Sequence, residues 1–453
     1  MSGPTLSPAR GISRPDESRP GVAARVVATA LYGAVLDKRQ PLDQLLDPST
    51  GDAAFRALPS RDRRLVHAIV ATALRRQGEI GDALGHLIER PLPRRVGDLR
   101  HILEIATAQL LFMEVADHGV VSVALEQVGA DGNARHFKGL ANAVLRRLAR
   151  EKETVRAGFD AARLDTPDWL WHRWAKTYGE TSARKIAEMH LVEPSLDLSV
   201  KSNPEGWAAR LGGIVLPTGS VRLVPSGPIE ELAGYADGEW WVQDAAAALP
   251  ARLLLPVDGM RVADLCAAPG GKTAALAHAG ARVTAIDRSA ARLDRLRANL
   301  ARLDLEAETV AGDVFDWTPG AIYDRVLLDA PCTATGTIRR HPDIARVKRP
   351  EDITALAALQ ARMLDRAVDL LRPGGVLVYC TCSLEPEEGE ALFEEAICRH
   401  DLTPLPVLAG EIGGLDDAVT PAGTVRTLPC HLPQPEPRLA GLDGFFIGRC
   451  RKG

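Results

Sequence analysis

The stretch Asp264-Leu-Cys-Ala-Ala-Pro-Gly-Gly-Lys-Thr273 joins two kinds of sequence. It opens within a short apolar run, Val262–Leu265, and leads into Lys272–Ala279, which has helical character. The reading is strand, tight turn, helix. Glycines in such a turn let the backbone approach a ligand closely, and a helix start offers free N–H groups to an anion or carboxylate. The Gly-x4-Gly-Lys-Ser/Thr spacing of a phosphate loop is absent, and so is Gly-x-Gly-x-x-Gly. A bare turn with no ligand is the alternative for so short a pattern, and the flanking sequence decides between them.

Downstream, strand and helix alternate. Val283–Ile286, Arg325–Leu328 and Val376–Tyr379 are apolar runs suited to a sheet buried on both faces. Ala290–Leu303 and Ile353–Leu371 read as the helices between them, and Leu371-Arg-Pro-Gly-Gly375 as a helix stop. The succession predicts a doubly wound α/β, Rossmann-like domain over 241–453. Asp287 closes the second strand, about 20 residues past the glycine turn, where an acid accepts hydrogen bonds from ribose hydroxyls. Asp313, in Gly312-Asp313, closes a third strand and is placed to receive a nucleobase amino group. Acids at successive strand ends point to an adenosine-containing cofactor, since such ligands bind outside the carboxyl ends of the strands. Two cysteine motifs reach the same edge: Asp329-Ala-Pro-Cys332 and Tyr379-Cys-Thr-Cys-Ser383. A lone buried cysteine is usually packing; two beside a charged pocket call for chemistry. Zinc is the rival, but Cys380-x-Cys382 lacks the two-residue spacing and neither motif holds a histidine.

Upstream, 160–240 reads as a small α/β insert, with strand-like Leu196–Val200 and Ile214–Pro217. Trp169, Trp171, Trp174 and Tyr178 lie in one short stretch, read as helix core rather than a platform for bases. Residues 21–155 read as a bundle of five to seven helices. Val22, Val26, Val27, Ala30 and Leu31 recur at helical spacing; Ser60 is placed to cap a helix carrying Leu65, Ile69 and Ala73; Leu99, Ile102, Leu103, Ile105, Ala106 and Leu110 form a further stripe, and Phe137–Leu148 closes the set. Residues 1–20, rich in Ser, Pro, Gly and Arg, lack a signal peptide's apolar core and read as a disordered tail. The net charge of −4 argues against generic nucleic-acid binding, yet residues 1–150 carry +5 and the remainder −9, so a basic front end faces phosphates or, on the bland reading, simply solvent. No apolar run is long enough to span a membrane. Seven cysteines, an odd number without scaffold spacing, favour free thiols in a reducing cytoplasm.

On these residues the chain resembles the RNA cytosine-5 methyltransferases of the Sun/Fmu/RsmB type over nearly all of 22–452. The front end is similar to NusB-type RNA-binding domains, most clearly in Lys138-Gly-Leu-Ala-Asn-Ala-Val-Leu-Arg-Arg147. The resemblance implies S-adenosylmethionine as cofactor, held by Cys266, Ala267, Ala268, Pro269, Gly270, Gly271 and Lys272, with Asp287 on the ribose, Asp313 on the adenine side, and Asp329. It implies Cys382 as nucleophile, Cys332 as the cysteine of product release and Asp329 as the acid at the pyrimidine ring. Gly336-Thr-Ile-Arg-Arg-His-Pro-Asp343 is similar to the family's active-site loop, Gln243-Asp244 to its entry motif, and Asp443-Gly-Phe-Phe446 to its terminal strand. The insert at 160–240 is RRM-like on the same footing. The implied substrate is a cytosine of 16S ribosomal RNA, with no metal, no membrane and a monomeric chain; a transfer-RNA substrate and a non-catalytic assembly factor are the alternatives. Cys380 departs from the family, which often has a small residue there; Cys382 is preferred because it precedes Ser383. Leu191–Ser195 and Ser199–Asn203 also diverge, and 401–440 receive no assignment.

Overall fold

The structure is a computed structural model that describes residues 21–93, 95–225 and 227–453. The tail read over 1–20 lies outside the described residues. The chain divides into two compact units, one ending at Thr166 and the other beginning at Pro167.

The first unit is helical. Among its described residues, six helices reach eleven residues or more: Val22–Lys38, Ser60–Arg75, Gln77–Leu87, Leu99–Phe112, Asp117–Ala130 and Lys138–Ala157. Leu99–Phe112 is the centre, since Leu99 and Ile102 through Leu111 are all buried. A helix buried on nearly every side, Glu104, Thr107 and Gln109 included, needs neighbours on every side, and the other five long helices all pack on it. Two local expectations need correction. Ala30 is exposed, the buried stripe of the first helix running through Ala24, Val27, Ala28, Leu31 and Val35. Ser60 is the first helical residue rather than the cap: Pro59 holds that position, and the Ser60 hydroxyl accepts from Arg63 at 3.2 Å.

The second unit holds two sheets. The smaller is antiparallel, in the order β2-β3-β1-β4, built from β1 (Leu196–Val200), β2 (Ile214–Val215), β3 (Val221–Leu223) and β4 (Trp240–Val242), with helix Pro204–Leu211 against it. The larger contains β5 (Arg261–Leu265), β6 (Arg282–Asp287), β7 (Glu308–Ala311), β8 (Tyr323–Asp329), β9 (Leu371–Thr381), β10 (Leu402–Pro404), β11 (Val425–Thr427) and β12 (Phe445–Lys452). Its order is β10-β12-β9-β8-β5-β6-β7, with β11 on β12; β5 to β9 are parallel and β10 to β12 antiparallel. The predicted doubly wound arrangement is present, extended by an antiparallel edge.

Apolar runs fit this sheet because both faces are covered. Ala263, Leu265, Val326, Leu328, Leu377 and Tyr379 pack with Met363, Leu364 and Ala367 of helix Pro350–Leu370. The alternate residues Val262, Leu327, Val376, Val378 and Cys380 pack with Leu249 and Leu276 from the helices on the other side. The helix stop falls at Leu370 and β9 begins at once; Tyr323 pairs Leu371 and Arg325 pairs Val376, so Arg372–Gly375 form an irregularity that a ladder can tolerate around Pro373. Residues 401–440 are part of the sheet structure: they supply β10 and β11, and Val407, Ile412 and Ala418 join the core. The tryptophan stretch is helix Asp168–Tyr178, with Trp174 fully buried, as expected of core.

Strand order reverses between β5 and β8, where β5 turns toward β6 and β8 toward β9. In open parallel sheets the crevice outside the carboxyl ends at such a point is where ligands bind.

Candidate active site

The turn leaving β5 is shaped by backbone. Cys266 takes φ 63° and Gly270 φ 102°, and the helix Gly271–His278 starts directly after. Gly270 cannot be replaced without movement: a Cβ there would stand 2.7 Å from Leu296 Cγ. The first-turn N–H groups of that helix have no intrahelical partner. The Ala267 N–H donates to the Ile286 carbonyl at 3.0 Å and the Ala268 N–H to Asp287 Oδ2 at 3.2 Å, which ties the turn to the end of β6.

Asp287 is buried and is further held by the Ser289 N–H at 2.9 Å and Arg292 at 3.2 Å. Asp313 stands apart: it is exposed beyond β7, its Oδ1 accepting from the Phe315 N–H at 3.0 Å. Beneath the turn, Asp264 is fully buried and accepts from the Thr273 hydroxyl at 2.6 Å. Burial pushes its pKa up to about 7, against the pull of Thr273 and Lys272. Burial, with Asp329, Asp287 and Asp264 nearby, likewise pushes the Cys266 thiol up to about 12, so this sulfur is no thiolate at neutral pH.

Lys272 connects the turn to β8. Its Nζ lies 2.7 Å from Asp329 Oδ2 and 5.3 Å from the centre of the Phe445 ring. Burial works against the ammonium, but Asp329 more than offsets it and the pKa is raised. The other oxygen of Asp329 accepts from Cys380 Sγ at 3.5 Å. Asp329 thus has a cation on one side and a buried thiol on the other.

The two predicted reactive cysteines meet because of register. Asp329 and Cys380 are partners across β8 and β9, and Cys332 and Cys382 follow them by a few residues on adjacent chain exits. Their sulfurs are 3.4 Å apart, both cysteines free and partly exposed. The hydrogen bond with Cys382, then burial, raises the pKa of Cys332 well above the ordinary thiol value. Among the described residues no group of three or more His, Cys, Asp or Glu is gathered to hold a metal ion.

Behind the sulfurs lies a polar network that sequence reading missed. Glu388 accepts from the Thr333 N–H at 2.9 Å, the Thr333 hydroxyl, the Ser383 hydroxyl at 2.6 Å and Gln360 Nε2 at 3.0 Å. The Gly336 N–H donates to the Cys382 carbonyl at 3.0 Å, and Gly336 packs directly on Gly444, so the loop Gly336–Asp343 is pinned to the approach of β12. Arg340 pairs with the buried Asp443 at 2.8 Å. Asp244 caps helix Ala245–Arg252, accepts from the Asp443 N–H at 3.2 Å and pairs with the buried Arg339 at 3.3 Å. The Gln243 side-chain oxygen Oε1 accepts from the Ser199 hydroxyl and the Trp241 Nε1–H, both at 2.9 Å. Gln243 and Asp244 therefore join the small sheet to the site, and the Gln243 side chain packs against Gly271 of the turn. Glu388 lies between the exposed Glu387 and the half-buried Glu390, in a segment to which the sequence reading assigned nothing.

The family described as 16S rRNA methyltransferase RsmB/F matches residues 251–450, and the NusB family matches 22–150. Ribosomal RNA small subunit methyltransferase B of Xanthomonas campestris pv. campestris is 38% identical, over 84% of this chain and 88% of its own length. The crystal structure of PH0851 superposes with a TM-score of 0.72 at 22% identity, over 96% of this chain and 99% of that one, a likeness of fold. A methyltransferase homolog protein from Pyrococcus horikoshii is 27% identical with a TM-score of 0.51, covering 66% of this chain and 98% of its own. The chain belongs to the RsmB family of methyltransferases, with a NusB-type helical unit ahead of the catalytic one.

Proposed function

We propose that this protein methylates carbon 5 of a cytosine in 16S ribosomal RNA, with S-adenosylmethionine as cofactor and Cys382 as covalent nucleophile. The observation that carries the reading is the pair of free sulfurs 3.4 Å apart, from two loops, beside an aspartate paired with a lysine at the strand-order reversal. The residues around the β5 turn fit the cofactor: Gly270 leaves a cradle that a Cβ would disturb, the helix start suits a carboxylate, and Asp287 stands at the strand end for ribose hydroxyls. S-adenosylmethionine, when bound, supplies an electrophilic methyl group on a sulfonium.

The chain's own residues do the rest. Cytosine carbon 5 is a poor nucleophile. The Cys382 thiolate adds to carbon 6, which makes carbon 5 enamine-like. Asp329, held by Lys272 and Cys380, supplies the carboxyl for a hydrogen bond with nitrogen 3, which relieves the charge that develops. Cys332, its sulfur 3.4 Å from Cys382, serves the step in which carbon 5 loses its proton and Cys382 is expelled as thiolate: in its own thiolate form it takes that proton, and the neighbour and burial that raise its pKa make it the stronger base for it. The base must leave its stack to reach these groups. On the helical unit, Arg135, Lys138, Arg146, Arg147 and Arg150 are exposed, a basic set suited to an RNA backbone.

Nucleotide-resolution mapping of 5-methylcytosine in total RNA, with and without the gene, tests the substrate. A 16S site is expected to disappear. Loss of a transfer-RNA site instead, or no change anywhere, overturns the ribosomal reading.

A further inference from the structure

We propose that Glu388 is a positioning residue, whose buried carboxylate sets the spacing of the Cys332 and Cys382 sulfurs by holding the residue that follows each. The role rests on the reading of these cysteines given above. The geometry is specific. Thr333 follows Cys332 and gives Glu388 both its N–H, at 2.9 Å, and its hydroxyl. Ser383 follows Cys382 and gives its hydroxyl at 2.6 Å. Gln360, from helix Pro350–Leu370, supplies a fourth donor at 3.0 Å and also reaches the Pro331 carbonyl at 2.9 Å, one residue before Cys332.

Four donors meet a group that, when ionised, offers about four lone-pair positions and no hydrogen. An acceptor of that kind fixes the direction of both hydroxyl hydrogens. Ser383 Oγ is then free to accept from the Glu385 N–H, which it does at 3.0 Å. The backbone of Glu388 is fixed too, since Tyr379 and Thr381 donate to its carbonyl at 2.7 and 3.2 Å. Glu388 is fully buried, touches neither sulfur in this network, and has no place in the transfer itself. A buried carboxylate costs stability unless its acceptor sites are filled; here the groups that fill them belong to the two cysteine-bearing turns.

The test uses the full-length protein with Glu388→Gln, which keeps the volume but replaces one acceptor oxygen with an NH2 donor that faces other donors. Turnover is expected to fall about 10- to 100-fold, while the dissociation constant for S-adenosylmethionine stays within about 2-fold, because the cofactor turn makes none of these bonds. A fold-wide defect would weaken cofactor binding as well, and that result overturns the positioning role. A second readout does not depend on the reaction: oxidation by the diazene diamide, in which two thiols give up two protons and two electrons to form a disulfide and the hydrazine. Peptide mapping is expected to show the Cys332–Cys382 disulfide forming several-fold more slowly in Glu388→Gln. A wild-type rate overturns the clamp. A slow rate together with full turnover by Cys382→Ala leaves the clamp standing and overturns the assigned chemistry. Should Glu388→Gln fail to fold, Thr333→Val and Ser383→Ala each remove a single hydroxyl arm; both must slow the disulfide, and the clamp falls if either does not.

Discussion

The two sides of the site are built by opposite means. On the cofactor side, one continuous turn does the work, and its shape is a matter of backbone: a residue at φ 63°, a glycine at φ 102°, and amides bonded to the end of the neighbouring strand. On the thiol side, Thr333, Gln360, Ser383 and Glu388 come from distant parts of the chain and meet through side chains. The first kind of construction tolerates lost atoms and fails when atoms are added. The second tolerates little loss, because each deleted group leaves a buried partner unsatisfied.

The largest effect is expected where the sulfurs themselves are removed. Cys382→Ala should abolish turnover, a loss of at least about 1,000-fold, with no covalent RNA species on denaturing gels. Cys332→Ala should instead stall the reaction after addition and accumulate an RNA–protein band. A band from Cys382→Ala and none from Cys332→Ala would exchange the two roles, and the thiol side would need to be read from Cys332 outward.

On the cofactor side the corresponding break is an addition. Gly270→Ala places a methyl group against Leu296 and forces a side chain into a backbone region that costs roughly 1–3 kcal/mol. The turn relaxes by moving, so affinity for S-adenosylmethionine, measured by calorimetry, should fall about 10-fold, while the slow disulfide seen for Glu388→Gln should not appear. Unchanged affinity would show that the turn's shape is not what holds the cofactor.

This difference also governs what the sequence revealed. The cofactor turn was legible because its determinants are contiguous: Asp264 through Thr273 carry strand end, turn and helix start in one reading, and the apolar runs around them match β5, β6, β8 and β9. The cysteines were legible as motifs at strand ends, and parallel register then brought them together. Glu388 was not legible, because its partners are separated from it by up to 55 residues and its neighbours Glu387 and Glu390 make the segment look solvated. The same holds for Cys380, an unexplained departure until β8 pairing set it on Asp329. Residues 401–440 lacked periodicity for a related reason: three-residue strands on an antiparallel edge are too short to show alternation.

The smallest effect expected here is on stability rather than rate, and it tests whether the cofactor side also depends on a side chain. Asp264 is buried under the turn with its pKa pushed up to about 7 from 3.8, chiefly by burial, and its Oδ1 lacks a hydrogen-bond partner. Between about pH 4 and pH 7 the folded state therefore keeps a proton that the unfolded chain releases. The folded state binds more protons across that window, so stability falls as pH rises through it and stays lower above it. Asp264→Asn keeps an oxygen for the Thr273 hydroxyl and removes the titration. It should raise stability at pH 8 by on the order of 2 kcal/mol, a few degrees in Tm, with the advantage vanishing near pH 4. Thermal melts at both pH values measure it. Burial raises Glu388 as well, against its four donors, so a slope of the same sign should persist in Asp264→Asn. If the full slope persists, Asp264 is not its source, and the other carboxyls that burial raises, Glu388, Asp443 and Asp197, carry the acid-linked stability of this domain.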